Sequence, residues 1–336
     1  MDKTRWIMRV LGMLLLTVGV QTVVLAQEVT PEGTAEVTPE ATAEPLPAGA
    51  ILDFPGAGAY SVQVVQGSAD RAYGVYIPES YVARDTPAPL VIVLHGASGN
   101  GLLMETQTGF DALADEHGFI VSYPDGIEGF WADGRPGDPR VSAQVSDIAY
   151  VRGIILFLST KLSIDPARVY LVGYSMGGML ALRAGCELAD RVTAVASVAS
   201  TMPEYVVPYC QNSAPIGVAF VIGTDDTSIP WAGQPRQGTG YMSANNSLAY
   251  WAAHNGCTDA ETMTVLDDTD PADGTRVILS TYSACEGGSA VNLYGVYRGG
   301  HTWPSRPSPI GFDAGAVSND IDATQVIWDF FSGQVR

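Results

Sequence analysis

Positive charge is scarce in this sequence. Lysine and arginine together number 17 against 36 acidic residues, a formal net charge of −19. Such a surface repels phosphate backbones and acidic headgroups, which argues against nucleic-acid binding and against electrostatic docking to anionic lipid. Cysteine is sparse too. Cys186, Cys210, Cys257 and Cys285 are widely spaced with no CxxC pair, so the usual spacing of a zinc site is missing. Their even number allows two disulfides, in any of three pairings, if the chain is exported. The acidic run 267–274 has Ala272 where a calcium loop needs a ligand, so it reads as a hairpin turn ending in Asp-Gly. Histidine is limited to His95, His117, His254 and His301, which makes the search for an imidazole base short.

The N-terminus is organised differently from the rest. Lys3, Arg5 and Arg9 precede an almost wholly apolar run from 10 to 26. This is the pattern of a secretory signal, cut before Gln27, with an uncleaved anchor as the alternative. Residues 27–50 contain a near-repeat rich in Thr, Pro and Glu, with almost nothing to bury, and are expected to form a disordered tether. Residues 51–336 have the composition of one catalytic domain. Apolar runs at 90–94, 119–123, 169–173, 192–199, 217–222 and 291–297, and the alternating run 71–77, predict strands. Helical periodicity covers 110–117, 148–162, 177–188, 243–255 and 322–331. This alternation implies an α/β fold, a mostly parallel central sheet flanked by helices on both faces.

The strongest chemical signal is Gly173-Tyr174-Ser175-Met176-Gly177, a G-x-S-x-G placed between a buried strand and a helix. A turn that tight needs small neighbours and lifts the serine hydroxyl clear of the sheet, which is the nucleophile elbow. A serine hydroxyl needs a base, and in this fold the partners follow in the order Ser, acid, His. His95 and His117 come too early. His254 lies in a helical stretch, whereas His301 lies in a Gly-Gly turn just after a strand, so His301 is the expected base. One strand ends at Gly223-Thr224-Asp225-Asp226, and both aspartates are candidates for the acid. The oxyanion donors are expected to be the N–H groups of Met176 and of Ala97, in the loop after strand 90–94. His95 reads as a structural ring that shapes that loop. Trp131, Trp231 and Trp303 fall in loops near the site, and Trp131 and Trp303 are expected to line a substrate pocket.

At these residues the chain resembles the polyhydroxybutyrate depolymerase-like secreted esterases, which include feruloyl and acetylxylan esterases of the first carbohydrate-esterase family. The matching pieces are Tyr76-Ile77-Pro78, Leu94-His95-Gly96, Tyr123-Pro124-Asp125-Gly126, the elbow at 173–178, and Gly299-Gly300-His301-Thr302-Trp303-Pro304. The resemblance implies an α/β-hydrolase fold, Asp226 as the acid, and the disulfides Cys186–Cys210 and Cys257–Cys285. It also implies a secreted, extracellular, monomeric ester hydrolase that needs no cofactor or metal. Its substrates would be oligomeric polyesters, or hydroxycinnamoyl or acetyl esters on polysaccharide. Ile222 departs from the family pattern, which often has histidine there. No polymer-binding module accompanies the domain, so soluble esters are expected to be preferred to solid polyester. A peptidase and an inactive surface-binding relative are the competing readings.

Overall fold

The computed structural model describes residues 54–83, 85–137, 146–236, 239–307 and 314–336. The expected signal and tether lie outside the described residues. Among the described residues, ten strands form one sheet: β1 Gly58–Gln66, β2 Ala69–Ile77, β3 Ala88–Leu94, β4 Ile120–Pro124, β5 Ile164–Tyr174, β6 Ala194–Val198, β7 Gly217–Gly223, β8 Thr262–Val265, β9 Arg276–Tyr282 and β10 Val291–Tyr297. Their order is β1-β2-β4-β3-β5-β6-β7-β10-β9-β8. The stretch from β4 to β10 is parallel throughout. The antiparallel pairs lie at the two ends of the sheet, β1 and β2 on one side, β9 and β8 on the other. The run 267–274 is the connection of the β8–β9 hairpin, as its turn chemistry predicts.

Among the described residues, seven α-helices accompany the sheet: α1 Glu79–Val82, α2 Gly101–Thr108, α3 Phe110–His117, α4 Asp147–Lys161, α5 Met176–Glu187, α6 Ala244–His254 and α7 Ala323–Ser332. Successive residues of a strand face opposite sides, so a strand apolar at every position serves two cores. In β3, Leu90, Ile92 and Leu94 join one core with α4, α5 and α6. Val91 and Val93 join the other, with α3 and α7. Helices therefore cover both faces. None of the helices among the described residues is long and apolar enough to cross a membrane.

The disulfides are Cys186–Cys210 and Cys257–Cys285, and no cysteine is left over. The first ties the end of α5 to a 3-10 segment, Glu204–Cys210. Because β3 to β7 and β10 run parallel, the segments that follow them gather at one edge of the sheet. These segments begin at His95, Asp125, Ser175, Ala199, Thr224 and Arg298, and that edge is where ligands bind in open α/β sheets.

Candidate active site

Ser175 stands between β5 and α5 with φ 53° and ψ −117°, a conformation that a residue with a side chain adopts only under constraint. The constraint is visible on both sides. A Cβ on Gly173 would overlap the backbone of Gly177, and a Cβ on Gly177 would overlap the carbonyls of Leu94 and His95. Backbone hydrogen bonds close the turn, Ser175 N–H donating to Val198 O at 2.8 Å and Gly178 N–H to Ser175 O at 2.9 Å. The small residues expected on sequence grounds are therefore required by contact.

His301 and Asp226 come together although they are far apart in sequence. His301 Nδ1 lies 2.7 Å from Asp226 Oδ2, and both side chains are buried. A carboxylate only accepts, so Nδ1 carries the proton and Nε2 is the basic nitrogen. Asp226 Oδ1 takes the N–H groups of Ser228 and Ile229, each at 2.8 Å, which fixes the carboxylate plane. Asp225 is exposed and accepts from Thr224 Oγ1. The backbone of His301 is held as well: Tyr174, beside Ser175, donates its hydroxyl to His301 O at 2.6 Å, and the two rings are 5.1 Å apart. Sequence reasoning passed over Tyr174, whose only signal was its place inside the elbow motif.

The loop after β3 lies against the elbow, since a Cβ built on Gly96 would stand 3.4 Å from Ser175 Cβ. Neither Ala97 N–H nor Met176 N–H has an acceptor among the described residues. His95 is fully buried. Its Nδ1 donates to Gly96 O at 2.7 Å, and its Nε2 accepts Gly126 N–H at 2.8 Å. Burial holds its pKa below the usual imidazole range, in keeping with a neutral ring. It shapes the loop, as expected. His254 sits at the end of α6 and bonds to Ser213 Oγ and Cys210 O.

The tryptophans require a correction. Trp131 is 0% and Trp303 1% exposed, so neither lines a pocket open to substrate. Trp131 packs on the His95 ring at 4.6 Å and donates its indole N–H to His95 O at 2.7 Å. Trp303 donates to Thr324 Oγ1 and packs edge-on against Phe110. A bulky aromatic in a loop looks like a recognition residue in sequence, but here both indoles are packed inside the fold, Trp131 under His95 and Trp303 against α3 and α7. Trp231 is half-buried, with its ring over Gly295.

A buried ion pair underlies the same region. Arg71 on β2 meets Asp147 at the start of α4, with side chains 1% and 3% exposed. Arg71 also donates to Asp125 O, and the other Asp147 oxygen takes Ala132 N–H. The Arg71 guanidinium lies 3.6 Å over the Tyr150 ring. Asp125 and Ala132 bracket Gly126 and Trp131, the two residues that hold His95. Among the described residues, no group of three or more His, Cys, Asp or Glu side chains could hold a metal ion.

The sequence profile of the alpha/beta hydrolase family matches residues 91–329, from β3 to within α7. The chain belongs to that family. NocK of Nocardia uniformis subsp. tsuyamanensis, which carries an esterase name, is 28% identical over 81% of this chain and 82% of its own length. Feruloyl esterase B of Piromyces equi is 31% identical over 65% of this chain. That match spans only 40% of the Piromyces protein, so this hydrolase corresponds to part of it. Among solved structures, an acetyl xylan esterase from Aspergillus awamori superposes with a TM-score of 0.54 at 14% identity, covering 82% of this chain and 99% of the other. That likeness shows the shared fold. The esterase names of the relatives are consistent with a carboxylic ester hydrolase.

Proposed function

We propose that this hydrolase cleaves carboxylic esters by a two-step acyl transfer on Ser175. The observation that carries the reading is the strained Ser175 elbow beside the buried His301–Asp226 pair, with Tyr174 joining the two. Ser175 Oγ bonds to the ester carbonyl carbon and gives its proton to His301 Nε2. The resulting oxyanion is held by the N–H groups of Met176 and Ala97. The tetrahedral species collapses, breaking the bond to the alcohol, which leaves with the proton from His301. Water then repeats the sequence on the acyl-enzyme: His301 takes its proton, the acid is released, and Ser175 regains its hydrogen. Asp226 orients the imidazole and stabilises its charged form.

The substrates we favour are soluble hydroxycinnamoyl or acetyl esters of polysaccharide, or short hydroxyalkanoate oligomers. The domain acts after export, a reading supported by the N-terminal signal pattern and by two disulfides. Initial rates on matched ester and amide substrates, with feruloyl, acetyl and 3-hydroxybutyryl acyl groups, test this. Ester cleavage with little amide cleavage is expected. Amide cleavage at comparable rates would make the protein a peptidase instead.

A further inference from the structure

Arg135, in the segment after β4, is held firmly yet leaves much of its hydrogen-bonding capacity unused. Its Nη2 donates to Asp133 Oδ2 at 3.0 Å, and lies 3.5 Å from the Tyr205 hydroxyl and 3.6 Å from Met179 Sδ. Asp133 is fully buried, and accepts the Tyr205 hydroxyl at 2.7 Å and the Arg135 backbone N–H at 3.1 Å. The guanidinium is thus anchored on one side. Its side chain is nevertheless 32% exposed, Nη1 has no acceptor among the described residues, and Nε is buried without one. A guanidinium offers five donor hydrogens in a rigid plane, and this one uses few of them.

Its position points to the reaction. Met179 and Arg183 lie four residues apart on one face of α5, the helix whose first residue, Met176, follows Ser175. The 132–135 segment runs along that face towards the nucleophile: Arg183 Nη1 donates to Ala132 O at 3.1 Å, and one turn nearer the elbow Arg135 meets Met179. The guanidinium therefore meets α5 in its first turn, the turn that begins next to Ser175. In a chain of net charge −19, bulk electrostatics repel an anionic substrate. A cation fixed in this place supplies a local exception.

We propose that Arg135 is a specificity-determining residue that grips a carboxylate carried by the ester substrate while Ser175 attacks the ester carbonyl. The open Nη1 of a planar fork, fixed by Asp133 on Nη2, offers directed N–H donors to a carboxylate that a mobile point charge does not. The carboxylate could belong to the acyl group, as in a half-ester of a diacid, or to the leaving alcohol, as in a hydroxy acid. The proposal rests on Ser175 being the nucleophile of an ester hydrolase.

Two substrate pairs test it on the full chain. Monomethyl glutarate against methyl glutaramate places the charge on the acyl side. 3-Acetoxybutyrate against 3-acetoxybutyramide places it on the alcohol side. The readout is the ratio of kcat/KM for the charged to the neutral member of each pair. In Arg135→Gln that ratio should fall about tenfold or more in at least one pair, through KM, and the pair that responds identifies the side. Arg135→Lys should lie between, since it keeps a cation opposite Asp133 without the fork. Added salt should lower the wild-type ratio more than that of Arg135→Gln. If Arg135→Gln does not fold, the lysine variant and the salt series decide. Equal losses within both pairs, or unchanged ratios, would overturn the proposal and leave Arg135 as a brace for Asp133 and its loop. If the wild type cleaves the neutral esters, a failure here touches Arg135 alone. If it cleaves the feruloyl, acetyl or 3-hydroxybutyryl esters but none of the four, this proposal alone fails; if it cleaves no ester of either set, the ester-hydrolase reading fails and this one with it.

Discussion

At the scale of single residues, neighbouring side chains of one type divide by environment. Asp225 and Asp226 are adjacent and chemically identical, but only Asp226 faces His301, and its other oxygen is tied to two backbone N–H groups. Asp226→Asn should cut kcat by about 10⁴-fold, because an amide facing Nδ1 favours the wrong tautomer. Asp225→Asn should change it little, since that side chain is exposed. Steady-state kinetics on one soluble ester decide between them, and a reversed ranking would put the acid at Asp225. The sequence left this pair open until family resemblance favoured Asp226, since a one-residue offset at a strand end cannot be read from periodicity. Ser175 and His301 stand out in the sequence because chain order and turn chemistry leave few alternatives. Trp131 and Trp303 were misread because loop position in sequence says nothing about depth, and each indole N–H has found an internal acceptor.

At the scale of elements, the buried parallel strands and their helices were readable because both faces of each strand are apolar. The edges were not. β1 alternates, with Tyr60, Val62 and Val64 turned inward and Ser61, Gln63 and Val65 exposed, but the run is short of strongly apolar residues, while all four residues of β8 are exposed and carry no burial signal at all. Nor does any local signal reveal that β2 and α4 cooperate through Arg71 and Asp147, 76 positions apart. That pair holds the 125–132 loop, which in turn holds His95 and the loop bearing Ala97. Asp147→Asn leaves a buried guanidinium without its counter-charge, at a cost of about 3–5 kcal/mol. The melting temperature should fall, and kcat should fall more than KM rises, because a displaced oxyanion loop weakens the transition state selectively. Thermal melts and ester kinetics on the same preparation check this. A destabilised variant with wild-type kcat would uncouple the ion pair from the oxyanion loop.

At the scale of the molecule, one sheet turns distant segments into neighbours. Six parallel strands deliver the loops bearing Ser175, Asp226, His301 and Ala97 to a single edge, and the two disulfides join cysteines 24 and 28 positions apart. The central claim is that Ser175 is the residue that becomes acylated. A fluorophosphonate forms a stable adduct with an activated serine, and peptide mass mapping locates it. One adduct on Ser175 is predicted, with parallel loss of ester hydrolysis, and Ser175→Ala should remain folded, unlabelled and inactive. Labelling at another serine, or ester turnover by Ser175→Ala above about a thousandth of the wild-type rate, would contradict the account.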